Sequence, residues 1–344
     1  MKIAVIGAGI VGLYTAYHLL KRGVDVDIYE ARYKVGYSAS THNPGVLNVI
    51  QNPFNSFKTR MMIRGLELHR RFSEDIGYNI LNTHLVLVYR RFEHRLISPF
   101  IPLYMKRYGV KMYRIDGDTL KKKYFEVNPS FSGAFIVEGY GIVNPYEMLD
   151  RLAQRISELG GKIYFNHRVK RVDKEPIIDG REYDYIVIAA GPHTNEISKS
   201  IDPEQPRQRF GMGIMVVTSL TIDYLISELK IIIPRYTKGG AITPYYRGRW
   251  TIFGPDFRWI DSKEVFEVDR DDAIEVFDKY KYLLRDEPEI IDYFCGVRIV
   301  NYPHNRWIIK RIGSYIIFYG IDSPGLTAAP ALGEYVINKY IHMD

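Results

Sequence analysis

Over the first thirty residues the apolar positions run first with strand-like density, then on a helical spacing, then as a strand again. Lys2 to Ile6 is a short β-branched run suited to a buried parallel strand. Ile10 to Arg22 reads as a helix closed by Gly23, and Val24 to Tyr29 as a second strand. Ser56 to Phe72 sets Phe57, Met61, Met62, Leu66 and Leu68 at helical intervals with basic residues between them. Asn79 to Tyr89 is strand-like, and strand-like and helical patterns alternate from there to Tyr140. Ile142 to Leu159 gives an asparagine cap, a proline in the first turn and an amphipathic helix that stops at Gly160-Gly161. Lys162–Phe165, Val169–Val172 and Tyr183–Ala189 follow as strands.

From Gln208 to Phe257 strands dominate: FGMGIMVVTSL, KIIIPRY and AITPYYRGRWTIFGPDF, the last folding back near Arg247-Gly248. Asp269 to Leu284 is an amphipathic helix and Asp292 to Val300 a strand. Ser314 to Tyr319 is an apolar strand, Gly320 to Pro330 a loop of small residues, and Ala331 to Tyr340 the closing helix.

Between the first strand and helix stand Gly7, Gly9 and Gly12 in GxGxxG spacing. Gly7 permits the tight turn, Gly9 admits a pyrophosphate to the backbone, and Gly12 lets the helix pack on the strand. The helix start offers free N–H groups and the positive end of its dipole to phosphates. Glu30 ends the second strand eighteen positions after Gly12, near the roughly 20 typical of the ribose-binding acid. A carboxylate there accepts ribose hydroxyls and repels a 2′-phosphate, so a dinucleotide without that phosphate is expected.

At 344 residues the chain is long enough for two domains. The strand–glycine–helix unit resumes after residue 141, which implies a nucleotide-binding domain interrupted by a second one. The expected division is 1–45, 142–200 and 290–344 for the nucleotide domain, and 46–141 and 201–289 for a substrate domain. No run of about 18 apolar residues and no signal-peptide pattern occurs, so a cytoplasmic protein without a membrane span is expected. One cysteine, Cys295, excludes intrachain disulfides and a cysteine-held iron–sulfur cluster and reads as core. The net charge of +7 favours anionic partners. With no basic helix or RNA-binding aromatic motif, nucleic acid is not expected. No metal site is expected either.

A second strand, glycine loop and helix at the far end of the chain is hard to account for with a nicotinamide dinucleotide alone. FAD accounts for it: one helix start takes the adenosine pyrophosphate, and the other faces the isoalloxazine edge where charge gathers on reduction. The fold class is thus α/β, a discontinuous Rossmann-like FAD-binding domain with an inserted α+β substrate domain built on an antiparallel sheet.

GAGIVG, STHNPGVLN, GIVNPY, IAAGP, CGVR and GIDSPGLTAAPALGEYV occur in this order along the chain. Together they resemble the D-amino-acid-oxidase-like FAD oxidoreductases, in particular the branch of FAD-dependent glycerol-3-phosphate and L-2-hydroxyglutarate dehydrogenases. The resemblance spans essentially the whole chain. It implies that Gly7, Gly9, Ile10, Val11, Gly12, Glu30, Ala31 and Arg32 hold the adenosine half of FAD, with Val169 at the adenine. It implies that Ser40, Thr41, His42 and Asn43 run along the pyrophosphate and flavin. Ala190 and Gly191 would approach the cofactor, and Gly320, Ser323, Gly325, Leu326 and Thr327 would lie against the flavin ring. Arg298 in CGVR matches the arginine that grips the substrate anion and also borders the flavin. Two departures stand out. Such dehydrogenases usually carry an extra helical domain after the last helix, whereas this chain stops at Asp344, which implies a shortened enzyme. Asn48-Val49 stands where relatives commonly place a histidine and a small residue.

The resulting expectation is oxidation of sn-glycerol 3-phosphate to dihydroxyacetone phosphate, with hydride transfer from C2 to flavin N5. His42 is the candidate base, with His193 and His304 more remote. Arg298, Arg249, Arg247, Lys58 and Tyr246 are the candidate substrate-binding residues, with Tyr245 beside them. Electrons would pass to a quinone or a carrier protein, with peripheral contact at the inner face of the cell membrane, and a homodimer is allowed. An L-2-hydroxy acid dehydrogenase and an amine or amino-acid oxidase of the same fold are the alternatives, and a flavin-stabilised scaffold without turnover is the non-enzymatic one.

Overall fold

In the computed structural model, residues 1–50, 56–90, 100–229, 240–245 and 249–341 are described. Two sheets organise them. The first has six strands in the order 308–312, 315–319, 185–188, 2–6, 25–29 and 162–164. All neighbours run parallel except the hairpin 308–312/315–319, with Val5 paired to Val187 on one side and Ile28 on the other. Strands buried on both faces read as continuous apolar runs, which is why KIAVI and YIIFY carry no alternation.

Helix Ile10–Leu20 is buried almost all round because it is covered twice. It lies among the sheet, helix Pro145–Glu158 and helix Gly325–Tyr340, and helix Phe57–Ile76 packs on the last of these. The crossings depend on small residues. A Cβ on Gly65 would overlap the carbonyl oxygen of Thr327, and one on Gly333 would fall 3.1 Å from the backbone of Thr15. The expected asparagine cap forms, Asn144 accepting from the N–H groups of Tyr146 and Glu147 ahead of helix 145–158, and Ser56 caps helix 57–76 by accepting from Thr59 N–H. Gly77 closes helix 57–76 at φ +84°.

The second sheet follows the order 258–260, 208–218, 250–254, 241–245, 225–228, 81–89, 133–142 and 46–47, with 290–301 paired to 208–218 and 112–116 to 133–142. It is mainly antiparallel, one parallel pair joining 225–228 to 81–89. Its own core includes Val86, Ile136, Ile214, Phe253 and Phe277. No helix among the described residues is long and apolar enough to cross a membrane.

Three sequence readings differ from the structure, and a fourth falls outside the described residues. Strand Ile290–Asn301 belongs to the second sheet, in antiparallel register with Gln208–Thr218, although residues from 290 onward were expected with the nucleotide half. Val169–Val172 forms no strand: the sheet already ends at 162–164, and Val172 instead bonds Ile197 O and packs in the cluster beneath the sheet. The last helix begins at Gly325, six residues before Ala331, with Pro330 inside it. That proline cannot donate to Leu326 O, and His69 Nε2 supplies the missing hydrogen bond at 3.0 Å. The expected strand KIIIPRY lies outside the described residues, as does the turn at Arg247-Gly248, although 241–245 and 250–254 do pair antiparallel around that turn.

Candidate active site

A single cavity of about 1700 Å³ runs between the two sheets, from the N-terminal glycine turn to the start of the last helix and on to Arg298. Pockets for one small ligand measure roughly 300–1,000 Å³, so this one has room for a dinucleotide and a substrate together.

At one end the backbone of the glycine turn is exposed to it. Gly7 sits at φ +103°, and a Cβ there would fall 2.6 Å from Ala189 O, so the turn tolerates only glycine. Gly9, Ile10 and Val11 line the cavity, and Gly9 gives helix 10–20 no side-chain cap of its own, so the positive end of the helix opens on the cavity beside Ser40. Gly12 does not line it. Its place is inside the turn, where a Cβ would overlap Gly7 O. Glu30 Oε2 accepts from Ala8 N–H at 2.8 Å and Oε1 from Arg32 N–H at 2.9 Å. Burial raises its pKa above the usual carboxylate range, and those hydrogen bonds hold it back.

Ala31, Arg32 and Val169 also face the cavity, but the Arg32 guanidinium is committed to Glu264 at 2.5 Å and stacks on Tyr37. Glu264 accepts from His193 as well, and His193 also meets Glu196, which Lys263 pairs. This chain of charges links the loops of both sheets at the cavity rim and fixes His193 there between two carboxylates. His304 is exposed outside the cavity.

The loop 38–45 forms one wall. Ser40 Oγ accepts from Ile10 N–H at 3.0 Å, which ties the loop to the first helix, and Ser40, His42 and Asn43 line the cavity. Thr41 does not: it is buried and donates to Gly36 O. His42 Nδ1 donates to Ser38 O at 3.1 Å, so its Nε2 carries the lone pair. Burial lowers its pKa, which keeps the ring neutral near pH 7. Strand 290–301 can approach because Gly296 stands against the His42 carbonyl with no side chain between.

At the far end, Ala190, Gly191, Gly320, Ser323, Gly325 and Leu326 line the cavity. Gly191 has φ +54° and nothing within 4 Å of a would-be Cβ, an open glycine facing the space a ligand would fill. Gly320 is required for another reason, because Asn301 packs on it while donating to Tyr319 O and Arg306 O. Helix 325–340 starts at this wall with no side-chain cap. Thr327 lies behind the wall, where it accepts from Asn48 N–H at 3.0 Å. Asn48 itself lines the cavity.

Arg298 rises from the second sheet into the same cavity beside Tyr280, Asp256 and Phe257. Its guanidinium forms no hydrogen bond or ion pair with the described residues and lies 5.4 Å from the Phe257 ring centroid. Burial lowers its pKa, while Asp322, Asp256 and Tyr280 act the other way. Tyr280 is pushed up to about 12 by burial and donates to Pro255 O. The other expected anion ligands are elsewhere. Lys58 is paired with Asp322 behind the loop 320–325, Arg249 stacks on Trp250 away from the cavity, and Tyr246 and Arg247 lie outside the described residues. Tyr245 is outside the cavity lining too, packed against Phe294. Tyr280 and Asp322 carried no sequence signal for the site, since a tyrosine on an amphipathic helix and an acid in a loop are both commonplace.

A sheet with two helix starts opening on one cavity and an acid at the second strand is a dinucleotide-binding oxidoreductase architecture. Residues 2–339 match the DAO family, FAD dependent oxidoreductase, and the chain belongs to it. The enzyme therefore uses FAD, and its glycine-bounded cavity fits that cofactor. The chain is similar to a glycerol 3-phosphate dehydrogenase of Caloramator mitchellensis, 23% identical over 98% of this chain and 73% of that one. Among solved structures it is similar to L-alpha-glycerophosphate oxidase from Mycoplasma pneumoniae with FAD bound, with TM-score 0.85, 19% identity and coverage of 98% and 94% of the two chains. Glycine oxidase from Geobacillus kaustophilus shares the fold as well, with TM-score 0.83, 15% identity and coverage of 98% and 93%.

Proposed function

We propose that this enzyme oxidises sn-glycerol 3-phosphate to dihydroxyacetone phosphate and passes the electrons to a quinone or a carrier protein. The observation that carries the reading is Arg298, a cavity guanidinium with no hydrogen bond or ion pair to the described residues, in the space shared with both helix starts. A half-buried cation left unpaired is costly, and a phosphate would satisfy it through two parallel N–H···O bonds. The names of the similar dehydrogenase and oxidase support the same substrate.

When bound, FAD supplies the two-electron acceptor. Gly7, Gly9, Ile10, Val11 and Glu30 would hold its adenosine half, with Ala31, Arg32 and Val169 around the adenine. Ser40, Asn43, Ala190 and Gly191 would follow the pyrophosphate, and Gly320, Ser323, Gly325 and Leu326 the ring. Arg298 orients the substrate by its anion. His42 takes the C2 hydroxyl proton at Nε2, since Nδ1–H is fixed on Ser38 O and the ring is neutral.

The test is anaerobic mixing of the yellow protein with each candidate in turn. Bleaching of the flavin by glycerol 3-phosphate, and not by 2-hydroxyglutarate or glycine, supports the reading. Bleaching by glycine alone would favour amine oxidation, a reading that the likeness to glycine oxidase keeps in the comparison. Arg298→Met should raise KM for glycerol 3-phosphate about 100-fold, the loss expected for a desolvated ion pair.

A further inference from the structure

The cavity end that holds Arg298 also holds two carboxylates, Asp256 and Asp322. In such a site an arginine tends to close on the nearest carboxylate as a forked pair. Arg298 pairs with neither, and each acid has another cation. Asp256 accepts from Arg258 Nε at 2.8 Å and from Ile214 N–H at 2.8 Å. Asp322 accepts from Trp307 Nε1 at 2.7 Å and is paired with Lys58. Lys58 is itself enclosed: it donates to Asn305 Oδ1 at 3.0 Å and sits 5.0 Å over the Trp307 ring. Its side chain is 12% exposed and that of Asp322 2%.

We propose that Lys58 is a positioning residue for the anion site: by holding Asp322 from behind the loop 320–325, it keeps Arg298 unpaired for the anionic group of the substrate. The proposal rests on the reading of Arg298 given under Proposed function. Asp322 lines the same cavity as Arg298 and its charge acts on the Arg298 guanidinium, so without Lys58 it is a competitor for the substrate anion. Arg258 does the same for Asp256, but it also serves Asp272 and Glu275, so Lys58 is the cleaner probe.

The sign of the effect is specific. With Lys58 removed, Asp322 turns its charge on Arg298 and competes with the substrate. With Asp322 neutralised as well, the competitor is gone and the site recovers. A purely structural pair also recovers stability when both charges are removed, because no lone buried charge is left, so the proposal is read from phosphate affinity and from KM at unchanged kcat rather than from folding.

The experiment uses FAD-loaded protein and inorganic phosphate as the probe, read by perturbation of flavin absorbance, together with steady-state oxidation of glycerol 3-phosphate. Lys58→Met should weaken phosphate binding and raise KM about tenfold, one ion pair's worth of binding energy, while kcat stays within about twofold. Lys58→Met combined with Asp322→Asn should recover most of that loss, and Lys58→Arg should show little of it. Unchanged phosphate affinity in Lys58→Met, or a loss that Asp322→Asn deepens, overturns the proposal. If Lys58→Met fails to retain FAD, Asp322→Asn alone decides: it should bind phosphate at least as tightly as the parent, and weaker binding overturns the proposal. Arg298→Met separates the two levels. If it binds phosphate like the parent, the anion reading of Arg298 fails on its own, whatever Lys58 does.

Discussion

Mild acid should destabilise this enzyme through two histidines hidden under its last helix. Pro330 leaves Leu326 O without its helical donor, and His69 Nε2 takes that role at 3.0 Å while Nδ1 meets the hydroxyls of Tyr14 and Tyr78. His18 Nε2 donates to Pro330 O at 2.8 Å. A ring that donates from Nε2 to a carbonyl and receives a hydroxyl proton at Nδ1 is neutral, and His69 meets both conditions. Burial drives both histidines from 6.5 to about 4.

The folded pKa values lie below the unfolded ones, so the unfolded chain takes up protons first. Stability from these groups is complete above about pH 6.5 and is lost as pH falls toward about 4. At pH 5 each histidine costs about 2 kcal/mol, or about 4 kcal/mol for the pair, against a typical total of roughly 5–15 kcal/mol. Urea unfolding between about pH 7.5 and 5, compared with a His18→Gln/His69→Gln variant, isolates the effect. Glutamine keeps a donor for each carbonyl but does not titrate in this range. His42 and His84, also lowered by burial, contribute equally to both proteins. So do Asp75, Glu196 and Glu264, whose partners depress their pKa values and whose losses begin at lower pH. The variant should lose about 4 kcal/mol less over this range; equal slopes would refute the reasoning.

Gly65→Ala pushes a Cβ into Thr327 O where helices 57–76 and 325–340 cross, and should cost about 1–3 kcal/mol in thermal unfolding. Glu30→Ala leaves the Ala8 and Arg32 N–H groups without their acceptor and removes the acid beside the ribose, so the FAD dissociation constant should rise about tenfold or more by fluorescence titration. His42→Asn should lower kcat about 10²–10⁴-fold with KM for glycerol 3-phosphate little changed; a comparable rise in KM instead would make the ring a binding group rather than the base.

The N-terminal turn was legible because its chemistry is in the backbone: Gly7 at positive φ and Gly12 against Gly7 O allow no other residue, and the spacing therefore appears in the sequence itself. The start of the last helix was not, for a reason that sits 257 residues away from Leu326. A proline reads locally as a helix boundary, and here His69 supplies the hydrogen bond that lets the helix begin six residues sooner. The same holds for charge. Apart from the CGVR motif around Arg298, the sequence does not separate it from Lys58 and Arg249, and in the structure the partner of each does: Asp322 for Lys58, the Trp250 ring for Arg249, no ion pair with a described residue for Arg298. On the proposed reading, a basic residue counts toward substrate binding when its neighbours have other cations to satisfy them. That makes the anion site a property of the whole set Arg298, Asp256, Asp322, Arg258 and Lys58, so substitution at its edge should be felt at its centre.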